Sequence, residues 1–129
     1  MNTPSHRRPL VYLVDDEPML LDLNEQILRG IGYDVRRFRS AELALAAYRA
    51  APQPPDLVIT DYAMHQMTGL DLVAECRQRH PGQRVILVSG TIAPSFLNHA
   101  PHKPDAFLAK PYLAGELAEL VELVTRPPA

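Results

Sequence analysis

Four short apolar runs, LVYLV from Leu10, LVIT from Leu57, VILV from Val85 and AFLA from Ala106, constrain the fold of this chain more than anything else in it. Each is rich in branched aliphatic residues and lacks polar alternation, the pattern of a strand covered on both faces. The stretches between them carry helical periodicity and are long enough for the crossovers that parallel strands require. Pro18 to Arg29 sets Leu20, Leu23, Ile27 and Leu28 at helical spacing, with Gly30 as a stop. Ala41 to Ala50 is Ala-rich and follows Ser40, a good N-cap. Gly69 to His80 shows Leu70, Val73, Ala74 and Arg77 on one face, ended by Pro81 and Gly82. In the last segment, Leu113, Leu117, Leu120, Val121 and Val124 form a stripe that Glu116, Glu119 and Glu122 face away from. Tyr33 to Phe38 reads as an edge strand, because Arg36, Arg37 and Arg39 crowd it with charge. The order is a (βα) unit repeated five times, which predicts a parallel sheet with right-handed crossovers and helices on both faces.

The runs end on residues suited to phosphate or metal chemistry: Asp15 with Asp16, then Asp61, Ser89 and Lys110. Ligands of open α/β sheets sit outside the carboxyl ends of the strands, where the strand order reverses. Three carboxylates, a hydroxyl and an ammonium therefore meet in one cleft. Singly, each has an ordinary explanation: Asp15 and Asp16 as helix caps, Asp61 as a loop opener, Ser89 with Gly90 as a turn, Lys110 as a solvated charge. Their conjunction at the strand ends of alternate βα units is what asks for a function. Crowded carboxylates raise one another's pKa and call for a cation. Lys110 supplies one charge, and an oxygen-rich set suits Mg²⁺ with a phosphoryl oxygen completing its shell. A carboxylate beside such a metal can attack phosphorus to give an acyl phosphate, with Ser89 and Lys110 holding the transferred oxygens. No Walker or dinucleotide glycine cradle is present, so a nucleotide is not the indicated ligand.

At 129 residues the chain has room for one domain. A net charge of −2 provides no footprint for direct nucleic-acid binding, and Arg7, Arg8, Arg36, Arg37 and Arg39 read as solvated local clusters. The single Cys76 rules out a structural disulfide, reads as a small buried apolar residue, and fits a reducing, cytoplasmic setting. No apolar stretch approaches the roughly 18 residues of a membrane span. The predicted organisation is an N-terminal tail over 1–9, one domain over 10–125 and a C-terminal tail over 126–129.

From about Leu10 to Val124 the chain resembles a receiver domain of the two-component response-regulator family. The resemblance rests on Val14-Asp15-Asp16-Glu17-Pro18, on Thr60-Asp61-Tyr62-Ala63-Met64 running on to Met67 and Gly69, on Val88-Ser89-Gly90, and on Phe107-Leu108-Ala109-Lys110-Pro111. It implies a flavodoxin-like five-stranded fold of order 2-1-3-4-5. It further implies that Asp61 is the phosphoacceptor and that Asp15 and Asp16, with Asp61 and the Ala63 carbonyl, hold Mg²⁺. Ser89 and Lys110 would bind the phosphoryl group, Ser89 and Phe107 would form the switch, and Pro111 would follow a cis peptide bond. The implied donor is a phosphohistidine on a sensor histidine kinase or a histidine phosphotransfer protein, acting on a module without its own output domain.

Two stretches depart from the family pattern. His65 stands where a proline is usual, in the loop after the phosphoacceptor. Pro94 to Asp105 contains three prolines and lacks the usual Gly-Ala before the last strand. Pro94 suits a first helical turn, whereas Pro101 and Pro104 each remove a donor and disfavour helix at the residue before. Ser95 to His99 is the helix that remains, with Phe96 and Leu97 as its anchors to the sheet. Two other functions stand beside the favoured one: a scaffold that keeps the fold without taking phosphate, and a phosphohydrolase with an aspartyl nucleophile. Against the second, Ala63 occupies the place where the haloacid-dehalogenase pattern has its second Asp.

Overall fold

The computed structural model describes residues 8–126, so the outer parts of both expected tails lie outside the described residues. Five parallel strands form one sheet of order β2-β1-β3-β4-β5. They are β1 (Leu10–Val14), β2 (Asp34–Phe38), β3 (Leu57–Asp61), β4 (Val85–Ser89) and β5 (Ala106–Ala109). The helices are α1 (Pro18–Gly30), α2 (Ala41–Ala50), α3 (Gly69–Arg79) and α4 (Ala114–Thr125), and the crossover from β4 to β5 is a 3-10 segment, Pro94–His99. This is the flavodoxin-like arrangement, with the order reversing between β1 and β3.

Alternation along the buried strands feeds two core layers. Val11, Leu13, Ile59, Ile86 and Val88 pack with Leu21 and Leu28 of α1 and Leu117, Val121 and Val124 of α4. Tyr12, Val14, Val58 and Val85 pack with Ala44, Leu45 and Tyr48 of α2 and Leu72, Val73 and Cys76 of α3. Burial pushes the Cys76 thiol up to about 12, which fits its role as a small apolar residue. Edge strand β2 splits its charge between the layers. Arg37 pairs with Asp22 and Glu25 of α1, and the Arg36 guanidinium lies over the rings of Phe38 (5.2 Å) and Tyr12 (5.8 Å). Among the described residues no helix is long and apolar enough to cross a membrane.

Several helix details differ from the sequence expectation. Helix α1 runs through Gly30 to a C-cap at Ile31, and the residue that turns the chain away is Gly32, whose φ of +104° is open to glycine. The N–H of Gly32 donates to Arg29 O (3.1 Å) and that of Tyr33 to Leu28 O (3.0 Å), a Schellman closure that also delays the start of β2 to Asp34. The buried stripe of α1 is Leu21, Asn24 and Leu28. Leu20 and Leu23 turn instead toward Pro111 and Tyr112. In α3 the buried residues are Gly69, Leu72, Val73 and Cys76, while Leu70 and Ala74 line a groove with Phe96 and His99.

The fourth crossover is short, as its prolines require. Leu97 is its buried residue. Phe96 is not a sheet anchor: it stays half exposed and meets the Tyr62 ring edge-on at 5.8 Å. A 3-10 turn advances about 120° per residue, so a chain that points Leu97 inward swings Phe96 to the side. The approach to β5 is held by Arg77 of α3, which donates to the carbonyls of Gln83 and Lys103 and pairs with Asp105 at 2.9 Å. Asp105 in turn accepts from the N–H of Val85 at 2.7 Å.

Candidate functional site

The last rungs of the sheet ladder place the site. Asp15 N donates to Phe38 O (3.1 Å), Tyr62 N to Val88 O (2.8 Å) and Lys110 N to Ser89 O (2.9 Å). Asp15, Asp61, Ser89 and Lys110 thus all leave the sheet at one edge, beside the point where the order reverses. The chain from Asp61 to α3 returns tightly: Gly69 N donates to Tyr62 O at 2.9 Å, and a Cβ on Gly69 would lie 2.3 Å from the Asp61 carbonyl oxygen. Only a glycine permits that approach, a role that the bare sequence does not disclose. Thr68 and Asp71 close the helix start with reciprocal hydrogen bonds of 3.1 and 3.0 Å.

The structure brings together four of the residues that the sequence singles out. Carboxylate oxygens of Asp15, Asp16 and Asp61 lie within 4.8 Å of one another. Lys110 Nζ sits 3.3 Å from Asp15 and 3.4 Å from Asp61. It is also 3.5 Å from Glu17, a neighbour that sequence reasoning missed. Asp15 accepts from the Glu17 N–H at 2.9 Å, and neither aspartate caps α1, whose N-cap is Glu17 without a side-chain bond. The peptide bond between Lys110 and Pro111 is cis.

Charge is crowded here. Burial pushes the Asp61 carboxyl up to about 6, with Asp15 and Asp16 adding to the rise and Lys110 opposing it. Burial also raises Asp15, against the Glu17 N–H and Lys110. Burial alone would lower the Lys110 ammonium, but Asp15, Asp61 and Glu17 outweigh it and hold the pKa above its usual value. One ammonium therefore leaves the three carboxylates undercompensated, and their all-oxygen donor set fits a hard divalent cation such as Mg²⁺.

Ser89 is fully buried, and its hydroxyl is occupied by its own turn. It accepts from the N–H groups of Thr91 (3.0 Å) and Ile92 (3.2 Å) and lies 3.2 Å from the Thr91 hydroxyl. Phe107, paired with Leu87 across the sheet, is half-buried and lines a groove of about 290 Å³ with Glu116, Leu120 and Leu123. His65 is the other addition that the structure makes to the site: its Nε2 is 3.9 Å from Asp16 Oδ2.

Comparison with known proteins agrees with this geometry. The response regulator receiver domain family model matches residues 11–122. The DNA-binding transcriptional regulator NtrC of Salmonella typhimurium is 34% identical over 120 residues, covering 90% of this chain and 24% of that protein. Response regulator protein PilR of Pseudomonas aeruginosa is 35% identical over 123 residues, covering 92% of this chain and 26% of its own. Sensor kinase CckA of Brucella abortus is 32% identical over 113 residues, 87% of this chain and 12% of that one. The chain thus spans about a quarter or less of the length of these three relatives. Among solved structures, a CheY-like response regulator receiver domain protein from Methanospirillum hungatei superposes with a TM-score of 0.82 at 26% identity, covering 92% of this chain and 94% of that one. The signal receiver domain of a LuxO-type repressor protein from Vibrio parahaemolyticus gives 0.83 at 26% identity, covering 93% and 92%. The sheet order, the acidic cluster at its carboxyl edge and these matches have one reading: the chain belongs to the response regulator receiver family, the signalling modules of two-component systems.

Proposed function

We propose that this domain is a phosphoacceptor switch in which Asp61 takes a phosphoryl group from a phosphohistidine. A carboxylate oxygen of Asp61 attacks phosphorus, the P–N bond breaks, and the imidazole leaves with the bonding pair and takes up a proton; the product is an aspartyl phosphate. The observation that carries this reading is the juxtaposition of Lys110 Nζ and Asp61 Oδ2 at 3.4 Å inside a ring of carboxylates. Asp15, Asp16, Asp61 and the Ala63 carbonyl would hold Mg²⁺, which supplies Lewis-acid neutralisation of the phosphoryl oxygens. Lys110 pairs with another of those oxygens. Ser89 would leave the N–H groups of Thr91 and Ile92 to donate to the phosphoryl group, and Phe107 would move into the space behind it. The donor would be a sensor histidine kinase or a histidine phosphotransfer protein, in the cytoplasm, and the face of β5 and α4 would change for a downstream protein target.

Incubation with a small phosphodonor and Mg²⁺, followed by intact mass, tests the proposal. A single stable phosphoryl adduct is expected, and Asp61→Asn should abolish it; undiminished labelling of that variant would sink the assignment. Continuous turnover of the donor would instead indicate a phosphohydrolase, and no adduct a scaffold. Ser89→Ala should still accept phosphate but lose the amide shifts around Phe107 that accompany labelling of the unmodified domain.

A further inference from the structure

His65 occupies a distinctive place. Its neighbours in the loop, Met64 and Met67, pack against the core layer of Tyr12 and Val73 and pin the loop down. The His65 side chain is left 87% exposed at the mouth of the acidic cluster, with Nε2 3.9 Å from Asp16 Oδ2. Two donors each about 2.1 Å from one octahedral ion are separated by about 3.0 Å when adjacent and about 4.2 Å when opposite. The observed separation of 3.9 Å is about 0.9 Å longer than the adjacent spacing, a gap that a turn of the exposed side chain closes. Being exposed, the imidazole reaches the site without a desolvation cost or a change in packing.

We propose that His65 contributes a nitrogen donor to the metal site of this domain, and that the site therefore favours Mn²⁺ over Mg²⁺ more strongly than its carboxylates alone would. Carboxylate, carbonyl and water suit Mg²⁺ and Mn²⁺ alike, whereas imidazole is a borderline donor that a first-row transition ion accepts more readily than Mg²⁺ does. Adding one such donor at the open side of an otherwise all-oxygen set discriminates between ions without disturbing the phosphoacceptor. The inference rests on the reading of Asp15, Asp16 and Asp61 as a metal site.

The test is direct binding rather than phosphorylation. Metal-free protein is titrated calorimetrically with Mn²⁺ and with Mg²⁺, and the bound Mn²⁺ is examined by pulsed electron paramagnetic resonance for coupling to an imidazole nitrogen. His65→Ala should weaken Mn²⁺ binding about tenfold, leave Mg²⁺ binding within about twofold, and remove the nitrogen coupling. Equal changes for both metals, tighter binding in His65→Ala because a partner of Asp16 has been removed, or a nitrogen signal that survives His65→Ala would each overturn the nitrogen donor while leaving the acidic site standing. Failure of the unmodified protein to bind either metal would overturn the metal site itself.

Discussion

The third and fourth crossovers of the sheet can be set side by side, since α3 and the 3-10 segment each deliver the chain to the next strand. Helix α3 has 11 residues, a reciprocal cap from Thr68 and Asp71, and four buried residues. The 3-10 segment has six residues, no side-chain cap, and Leu97 as its buried residue. The difference originates in Pro101 and Pro104, which stop a helix from continuing, and it is partly offset by polar ties from Arg77 across to Lys103 and Asp105. The domain is thus firmly built in the crossover that follows Asp61 and lightly built in the one that follows Ser89.

The largest expected effect of this contrast is on hydrogen exchange. Amides of Leu72 to Cys76 should exchange near the global unfolding limit, and those of Phe96 to Ala100 about a thousandfold faster, a gap of about 4 kcal/mol in opening free energy. Comparable protection in the two segments would remove the distinction. Truncation gives the next measure. Leu72→Ala leaves a cavity in a closed layer and should cost about 2–5 kcal/mol in urea unfolding, whereas Leu97→Ala, in a segment free to collapse, should cost about 1–2 kcal/mol. Equal costs would mean that the fourth crossover is as tightly packed as the third.

A smaller effect concerns how the firm side carries its charge. In the native state Asp61 sits near 6, above the 3.8 of an ordinary carboxyl. Between those values the native state binds more protons than the unfolded one, so metal-free stability falls as pH rises through that window, by on the order of 3 kcal/mol. Asp61→Asn should therefore stabilise the metal-free domain by about 1–3 kcal/mol at pH 7, with the gain fading toward pH 4. Melts in a chelator at both pH values check this. A destabilised variant at pH 7 would show that the carboxylate is supported by its surroundings.

Much of this architecture can be read from residue pattern because buried parallel strands and helix caps leave local marks. The four apolar runs and Ser40, whose Oγ accepts from the Leu43 N–H at 3.1 Å, are examples. Which face a helix buries was less legible. In α1 the polar Asn24 takes a buried position, donating to the Tyr112 hydroxyl at 2.7 Å, and no hydropathy pattern foretells a partner 88 residues away. In the candidate site, residue types and their places at strand ends were visible. The turn that occupies the Ser89 hydroxyl, the approach of Glu17 to Lys110 and the contact required of Gly69 were not, since each depends on backbone geometry between elements.

Edge strand β2 has a consequence for colloidal behaviour. Any sheet edge is a template on which another strand could add, and here the outermost strand carries Arg37 toward the α1 layer and Arg36 over the Tyr12 and Phe38 rings on the other. Two copies meeting edge to edge would bring guanidinium groups onto both faces of the seam, where like charges repel. At the opposite margin, β5 offers only four residues. Growth of the sheet by self-addition is thus opposed at one border by the arginines and at the other by brevity, so concentrated solutions of the domain are expected not to polymerise along the ladder direction.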